Sequence, residues 1–254
     1  MTINHFSISM FLLMFLLIIF SSSNLVFPVK ADAQVELLTS SSYIDSLGWL
    51  HVVGEAQNVG NQAVEYVRIS ATFYDSSNTV VGTAFTYSDL NVILPNRKSP
   101  FDILLYEESQ SSKVDHYELS VSFSTTVSKQ QSLQILSYSS YIDSLGWFHI
   151  VGEVENTATG GATYVKVIAT CYESGTVINN GFDYTTDLDR GQKAPFEILI
   201  IDNNPELISS YELTVESSEF AEIPEFSSII LFLLIFPLLG LIIYSNNRKN
   251  WISS

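Results

Sequence analysis

Between residues 34 and 222 the apolar positions recur at every second residue. Val67, Ile69, Ala71 and Phe73 alternate with Arg68, Ser70, Thr72 and Tyr74. Leu50, Val52, Gly54 and Ala56 form another such inward set. A period of two, carried by β-branched and aromatic residues, predicts half-buried strands. Asp45-Ser46-Leu47-Gly48 has Asp first and Gly fourth, as type I turns prefer, and links two of these runs as a hairpin-like corner. No long segment in this region has the 3.6-residue period of an amphipathic helix. Several short strands between turns predict an all-β fold of the β-sandwich kind.

The pattern occurs twice. SYIDSLGW stands at Ser42–Trp49 and again at Ser140–Trp147, and HVVGEAQN (His51–Asn58) returns as HIVGEVEN (His149–Asn156). YVRISATFYD (Tyr66–Asp75) returns as YVKVIATCYE, and SPFDILL (Ser99–Leu105) as APFEILI. Two copies of about 90 residues are domains, not solenoid units, which are shorter and more numerous. The expected organisation is two tandem immunoglobulin-like sandwiches, at 34–127 and 128–218.

The ends differ from this middle. Met10–Phe20 is an apolar run too short to span a bilayer and suited to a secretory signal. Ala31-Asp32-Ala33 is an A-x-A pattern that places cleavage between Ala33 and Gln34. Ser227–Tyr244 is a second apolar run, about 27 Å long as a helix, close to the hydrocarbon thickness. Arg248 and Lys249 follow it, in the tail 245–254. The positive-inside rule then puts the tail in the cytoplasm and the domains outside a cell membrane crossed once.

Composition narrows the partners. The formal net charge is −16, which repels phosphate backbones and argues against nucleic acid. A single cysteine, Cys171, excludes an intrachain disulfide and a thiolate zinc cluster. By alternation it replaces Phe73 in the second core, as a small apolar filler.

Two resemblances follow from these residues. The strand V-x-G-E-x-x-N at Val52–Asn58, its counterpart Val151–Asn156, the strand ending Thr72-Phe73-Tyr74-Asp75 and the turn Ser99-Pro100-Phe101 resemble the FxLYD family. These are small β-sandwich domains of exported prokaryotic proteins. The resemblance implies an extracytoplasmic location and no known catalysis, and supplies no ligand. Pro224-Glu225-Phe226, in the stem 219–226 ahead of the apolar run and the basic tail, resembles the PEF-type C-terminal sorting signals of archaea. That implies cutting at the motif by an archaeosortase and transfer to a lipid. A retained transmembrane helix is the alternative.

Candidate chemistry is sparse. His51 and His149 point outward on separate domains, without a partner at ligand spacing. Asp45 and Asp143 read as turn residues satisfied by their own backbone. Asp183, Asp187 and Asp189 share one loop that reads as a solvated acidic segment or a weak cation site. Glu55 and Glu153 lie on separate copies, so they are no carboxylate pair for glycoside chemistry. Gly160-Gly161 is a turn, since no Lys-Ser/Thr follows it. No cofactor, metal or enzyme activity is expected. Trp49, Trp147, Tyr43 and Tyr141, with Tyr66 and Tyr164, recur in both copies and form the candidate binding surface for a protein or glycan, or else pack one domain on the other. The expected function is a membrane-anchored surface protein with structural, adhesive or binding roles. The alternative is an accessory subunit of a membrane complex acting through its transmembrane helix.

Overall fold

The computed structural model describes residues 33–128, 132–201 and 205–218. Residues 1–32 of the expected signal, the Pro224-Glu225-Phe226 motif, the apolar segment 227–244 and the tail lie outside them. Among the described residues no helix is long and apolar enough to cross a membrane.

The described chain is all-β. The first copy contains β1 (Val35–Ile44), β2 (Leu50–Asn58), β3 (Val64–Tyr74), β4 (Val80–Tyr87), β5 (Val92–Ile93), β6 (Lys98–Leu105) and β7 (His116–Thr125), with the single-turn helix α1 (Glu108–Ser111). The second contains β8 (Leu133–Ile142), β9 (Phe148–Asn156), β10 (Lys166–Glu173), β11 (Thr176–Tyr184), β12 (Lys193–Ile200) and β13 (Ser210–Glu216). One sheet runs β1-β2-β6, and β3 carries β4, β5 and β7 in another. The second copy repeats this as β8-β9-β12 and β11-β10-β13. The alternating residues Val67, Ile69, Ala71 and Phe73 face Val52, Phe101 and Ile103 in the first core. Val167, Ala169 and Cys171 face Ile150, Phe196 and Ile198 in the second. Cys171 is fully buried there.

The repeated motif residues each have a physical cause. Asp45 closes the β1–β2 turn: its Oδ1 accepts the amides of Leu47 and Trp49, both at 2.9 Å. Gly48 completes the turn at φ +81°, a left-handed conformation that glycine adopts without a Cβ clash. Asp143 and Gly146 repeat the arrangement. The glycine of the V-x-G-E strand has another reason. Gly54 lies directly across from Phe101 on β6, and Gly152 across from Phe196 on β12. A Cβ at Gly54 would sit 2.6 Å from Phe101 Cζ, and one at Gly152 2.5 Å from Phe196 Cζ. The ring occupies the space the side chain would need. Pro100 and Pro195 are tolerated beside these rings because β6 and β12 are edge strands.

The closing asparagine is a clamp. Asn58 is fully buried. Its Nδ2 donates to the carbonyls of Gln62 and Ile93, both at 2.8 Å, and its Oδ1 accepts from Gly60 N at 3.0 Å. Asn156 makes the matching bonds to Gly160 O, Leu188 O and Ala158 N. Asn58→Ala would take the side-chain donor from two carbonyls and leave Gly60 N only its bond to the Gln34 carbonyl, and is expected to cost about 2 kcal/mol. Urea unfolding followed by circular dichroism measures this, and an unchanged midpoint would remove the clamp role.

In one respect the strands differ from the sequence expectation. β10 is buried on both faces: Ile168, Thr170 and Tyr172 are covered as fully as Val167 and Ala169. The reason is stacking of the two copies. The outer face of β11-β10-β13 lies on the outer face of β1-β2-β6, so the sheets form four successive layers. Val53, Tyr172 and Val177, with Tyr43 against them, make a small apolar cluster in the seam, and Ile168 joins the first core.

Candidate binding surfaces

The seam between the copies holds the most deeply buried charges. Glu55 is enclosed there, at 3% exposure. Tyr172 donates its hydroxyl to Glu55 Oε1 at 2.8 Å, and Lys98 Nζ lies 3.6 Å from Oε2. Burial pushes the Glu55 carboxyl above its ordinary range, against the pull of Tyr172 and Lys98. Lys166 Nζ donates to Asp89 O at 2.7 Å, and Asn180 Nδ2 to Asp89 Oδ2 at 2.7 Å. Glu216 accepts from Asn91 N and Nδ2 at 3.0 and 3.1 Å. Burial pushes Glu216 up to about 7. Each of these groups has a partner in the other copy, so the seam uses its polar side chains to fix the stacking.

The histidines have carboxylate partners that the sequence did not reveal. His51 Nδ1 lies 2.8 Å from Asp102 on β6, and Nε2 lies 3.6 Å from Asp45 in the turn. His149 lies likewise between Glu197 at 2.9 Å and Asp143 at 3.3 Å. Desolvation pulls both imidazoles down, but the flanking carboxylates outweigh it and hold them above the usual histidine value. Each imidazole thus ties a turn to an edge strand. Among the described residues no group of three His, Cys, Asp or Glu is arranged to hold a metal. The acidic loop does not converge on a cation either. Asp183 accepts from Glu197 N at 2.9 Å, Asp187 from Tyr164 N at 3.1 Å, and the Asp189 carbonyl from Gln192 N at 3.0 Å.

The expected aromatic residues divide among different tasks. Tyr43 stacks on His51 with ring centroids 4.7 Å apart and packs at the seam. Tyr141 stacks on His149 at the same distance but stays half exposed. Trp49 meets Tyr106 edge to face at 5.3 Å. Trp147 is partly buried, its amide held by Asp143. Ala33 packs against the first core, and the Gln34 carbonyl accepts from Val59 N and Gly60 N at 3.0 and 3.2 Å, so cleavage between them would leave β1 intact.

Tyr66 and Tyr164 stand apart. They are 69% and 72% exposed, and both have left-handed backbones, at φ +51° and +50°. A bulky residue in that region is an outlier that costs about 1–2 kcal/mol. Tyr66 sits at the register break within β3 and Tyr164 just ahead of β10, and each throws its ring to solvent. Tyr87 and Tyr184, more than half exposed, stand beside them. Phe85 and Phe182 back these rings edge to face, at 6.2 and 5.6 Å. Arg68 lies 3.9 Å over the Phe85 ring and Lys166 4.1 Å over the Phe182 ring. The sequence carried a signal for this second tyrosine pair, AFTY at Ala84–Tyr87 against GFDY at Gly181–Tyr184.

The rings border two grooves. One, of about 550 Å³, is lined by Tyr66, Tyr87, Leu90 and Asn91. The other, of about 330 Å³, is lined by Tyr164, Tyr184, Lys166, Glu216 and again Asn91. Sharing Asn91, they adjoin across the seam.

No family model matches the chain, and no curated protein matches it. Among solved structures, the Amycolatopsis orientalis exo-chitosanase aligns at 13% identity over 70% of this chain and 25% of that protein, with a TM-score of 0.28. An exo-β-D-glucosaminidase inhibited by a glucosamine-configured castanospermine aligns at 12% identity over 74% of this chain and 25% of its own, also at 0.28. Red sea bream transglutaminase aligns at 6% identity over 74% and 29%, with a TM-score of 0.24. The chain spans about a quarter of the length of these proteins, and likeness at this level carries nothing about fold or activity.

Proposed function

We propose that the chain is a non-catalytic surface protein that holds an extended glycan along its paired aromatic grooves. The observation behind this reading is the repeated, solvent-facing Tyr66–Tyr87 and Tyr164–Tyr184 pairs, in which the left-handed backbones of Tyr66 and Tyr164 cost stability and serve no core. Aromatic faces rimmed by amide, hydroxyl and charged groups suit a ligand with apolar faces and polar edges. Strain in a folded chain gathers where function requires it. The buried charges of the seam and the His–carboxylate ties are engaged in holding the fold, which supports a binding role over catalysis.

The sandwiches are of the immunoglobulin-like, FxLYD kind in this reading. They are presented outside the membrane after removal of residues 1–33, on the 227–244 helix or on a lipid attached by an archaeosortase. Intact mass of the mature protein from native membranes separates the two anchors: a chain ending near Phe226 with a lipid adduct, or one running to Ser254.

Binding is tested with the variant Tyr66→Gly/Tyr164→Gly. Glycine relieves the left-handed strain, so stability should stay within about 1 kcal/mol of the parent. Retention on immobilised polysaccharides of the producing cell's envelope should fall at least tenfold. Equal retention by parent and variant would defeat the glycan reading. Capture of an envelope protein instead, lost in the same variant, would reassign the grooves to a protein partner.

A further inference from the structure

The seam is heterologous: the β11-β10-β13 face of the second copy lies on the β1-β2-β6 face of the first. Because the copies repeat one sequence pattern, each of these faces exists a second time, and there no described residue of the other copy covers it. The first copy presents the outer face of β4-β3-β7, equivalent to the one that docks. The second presents the outer face of β8-β9-β12, equivalent to the one that receives it. We propose that a second copy of this chain occupies these faces, so that molecules stack head to tail through a repeat of their own internal seam.

The free faces keep the residues that make the seam. Tyr172 donates to Glu55 within the chain. Their equivalents, Tyr74 and Glu153, stand on the free faces. Tyr74 already lies on Glu118 at 3.2 Å, as its counterpart lies beside Glu212. Lys98 bridges Glu55 and Glu212, at 3.6 and 3.3 Å. Lys193 lies 4.0 Å from Glu153 in the same position, open to a partner's Glu118. Ser41 Oγ donates to Val177 O at 2.6 Å, and Ser139 and Val80 are the matching pair. Lys166, which donates to Asp89 O, is matched by Arg68, and Asp89 by Asp187.

The apolar contacts point the same way. Val177 and Val53 are fully buried in the seam, whereas the equivalent Val80 is 53% exposed and Val151 partly so. Ser139, Val151 and Glu153 line a shallow depression of about 480 Å³ on the receiving face. Three substitutions make this contact weaker than the internal one. Ser70 replaces Ile168, Ser122 replaces Glu216, and Gln192 stands for Arg97. The buried carboxylate and a cation beside it are thus lost together, so no unpaired charge is created. A heterologous contact that does not close on itself builds an open filament. Stacking leaves the aromatic pairs free, because Phe182 and Tyr184 stay exposed although their face is docked. The proposal therefore stands or falls independently of glycan binding.

Sedimentation velocity of the full chain in detergent tests it. The concentration should reach about 1 mM, the order of effective concentration that a short linker supplies within one chain. The parent should shift from monomer to a ladder of multimers. Val80→Asp spoils only the docking face and Val151→Asp only the receiving face, so each variant alone should remain monomeric with an unchanged melting temperature. An equimolar mixture of the two should sediment as dimers and no larger, since each supplies one intact face. A parent that stays monomeric throughout, variants that assemble like the parent, or a mixture that stays monomeric would each overturn the proposal.

Discussion

Phe101→Ala is expected to lower the stability of the first sandwich by about 3–5 kcal/mol, the range for deleting a buried aromatic ring. The ring is 1% exposed and lies between the two sheets, across from Gly54. Its loss opens a cavity against a glycine, which has no side chain to lean into the gap. The pair should therefore be strongly coupled. Gly54→Ala in the parent is expected to cost about 1–3 kcal/mol, because the new methyl meets the ring and must displace it. In the Phe101→Ala background the same methyl finds space where the ring stood, and its cost should shrink by more than half. Ser40 Cβ, 3.0 Å from the added atom, sets what remains. Guanidinium unfolding of the four chains in this cycle gives the interaction energy. Additive effects would show that the ring moves aside freely and that the glycine has another cause. In the second copy the cycle should show weaker coupling, because a methyl at Gly152 meets the Ser137 backbone carbonyl as well as the Phe196 ring, and removing the ring leaves that clash in place.

That pairing shows what the sequence could and could not tell. Gly54 and Phe101 both stood out in the repeated motifs, and the alternation placed Gly54 inward. Their contact depends on the β2–β6 register across more than forty residues of chain, which period-two patterning does not specify. The histidines illustrate the same limit. Asp45 is local to His51 and legible as a turn residue, while Asp102 reaches it only through strand pairing. The all-β class and the inward sets came directly from alternation, since each strand has one face on a core. The seam was hidden because it buries the other face. Its trace was Ile168, an apolar residue at the outward position where the first copy has Ser70. A single apolar residue on an outward face is common, so only the stacked sheets reveal what covers it.

The seam should also make stability depend on pH, through Glu216. Burial raises its carboxyl from an ordinary 4.5 to about 7, although Asn91, Lys166 and Arg97 favour the charged form. Asp89 nearby adds repulsion. A carboxyl raised in the folded state binds its proton more tightly there than in the unfolded chain. Its contribution is complete below pH 4.5 and is lost as the pH rises to about 7. Over that window the loss is about 3 kcal/mol, at roughly 1.4 kcal/mol per pH unit. Glu55 and Asp89 are raised by burial and act in the same direction. So do His51 and His149, whose contributions vanish as the pH climbs through values above 6.5. Asp45 and Asp143 act oppositely: their carboxyls are held below 3.8, so what they add is lost on acidification. The parent should thus be most stable near pH 4.5 and weaken toward neutrality. Glu216→Gln keeps a side chain that can accept from the Asn91 amide and removes the titration. Thermal melts of the variant should decline less between pH 4.5 and 7, by about 3 kcal/mol. Parallel profiles for parent and variant would mean that Glu216 is charged throughout, with Arg97 and Lys166 compensating its burial. In that case the seam would hold its carboxylate as an ion pair and would not loosen near neutral pH through this residue.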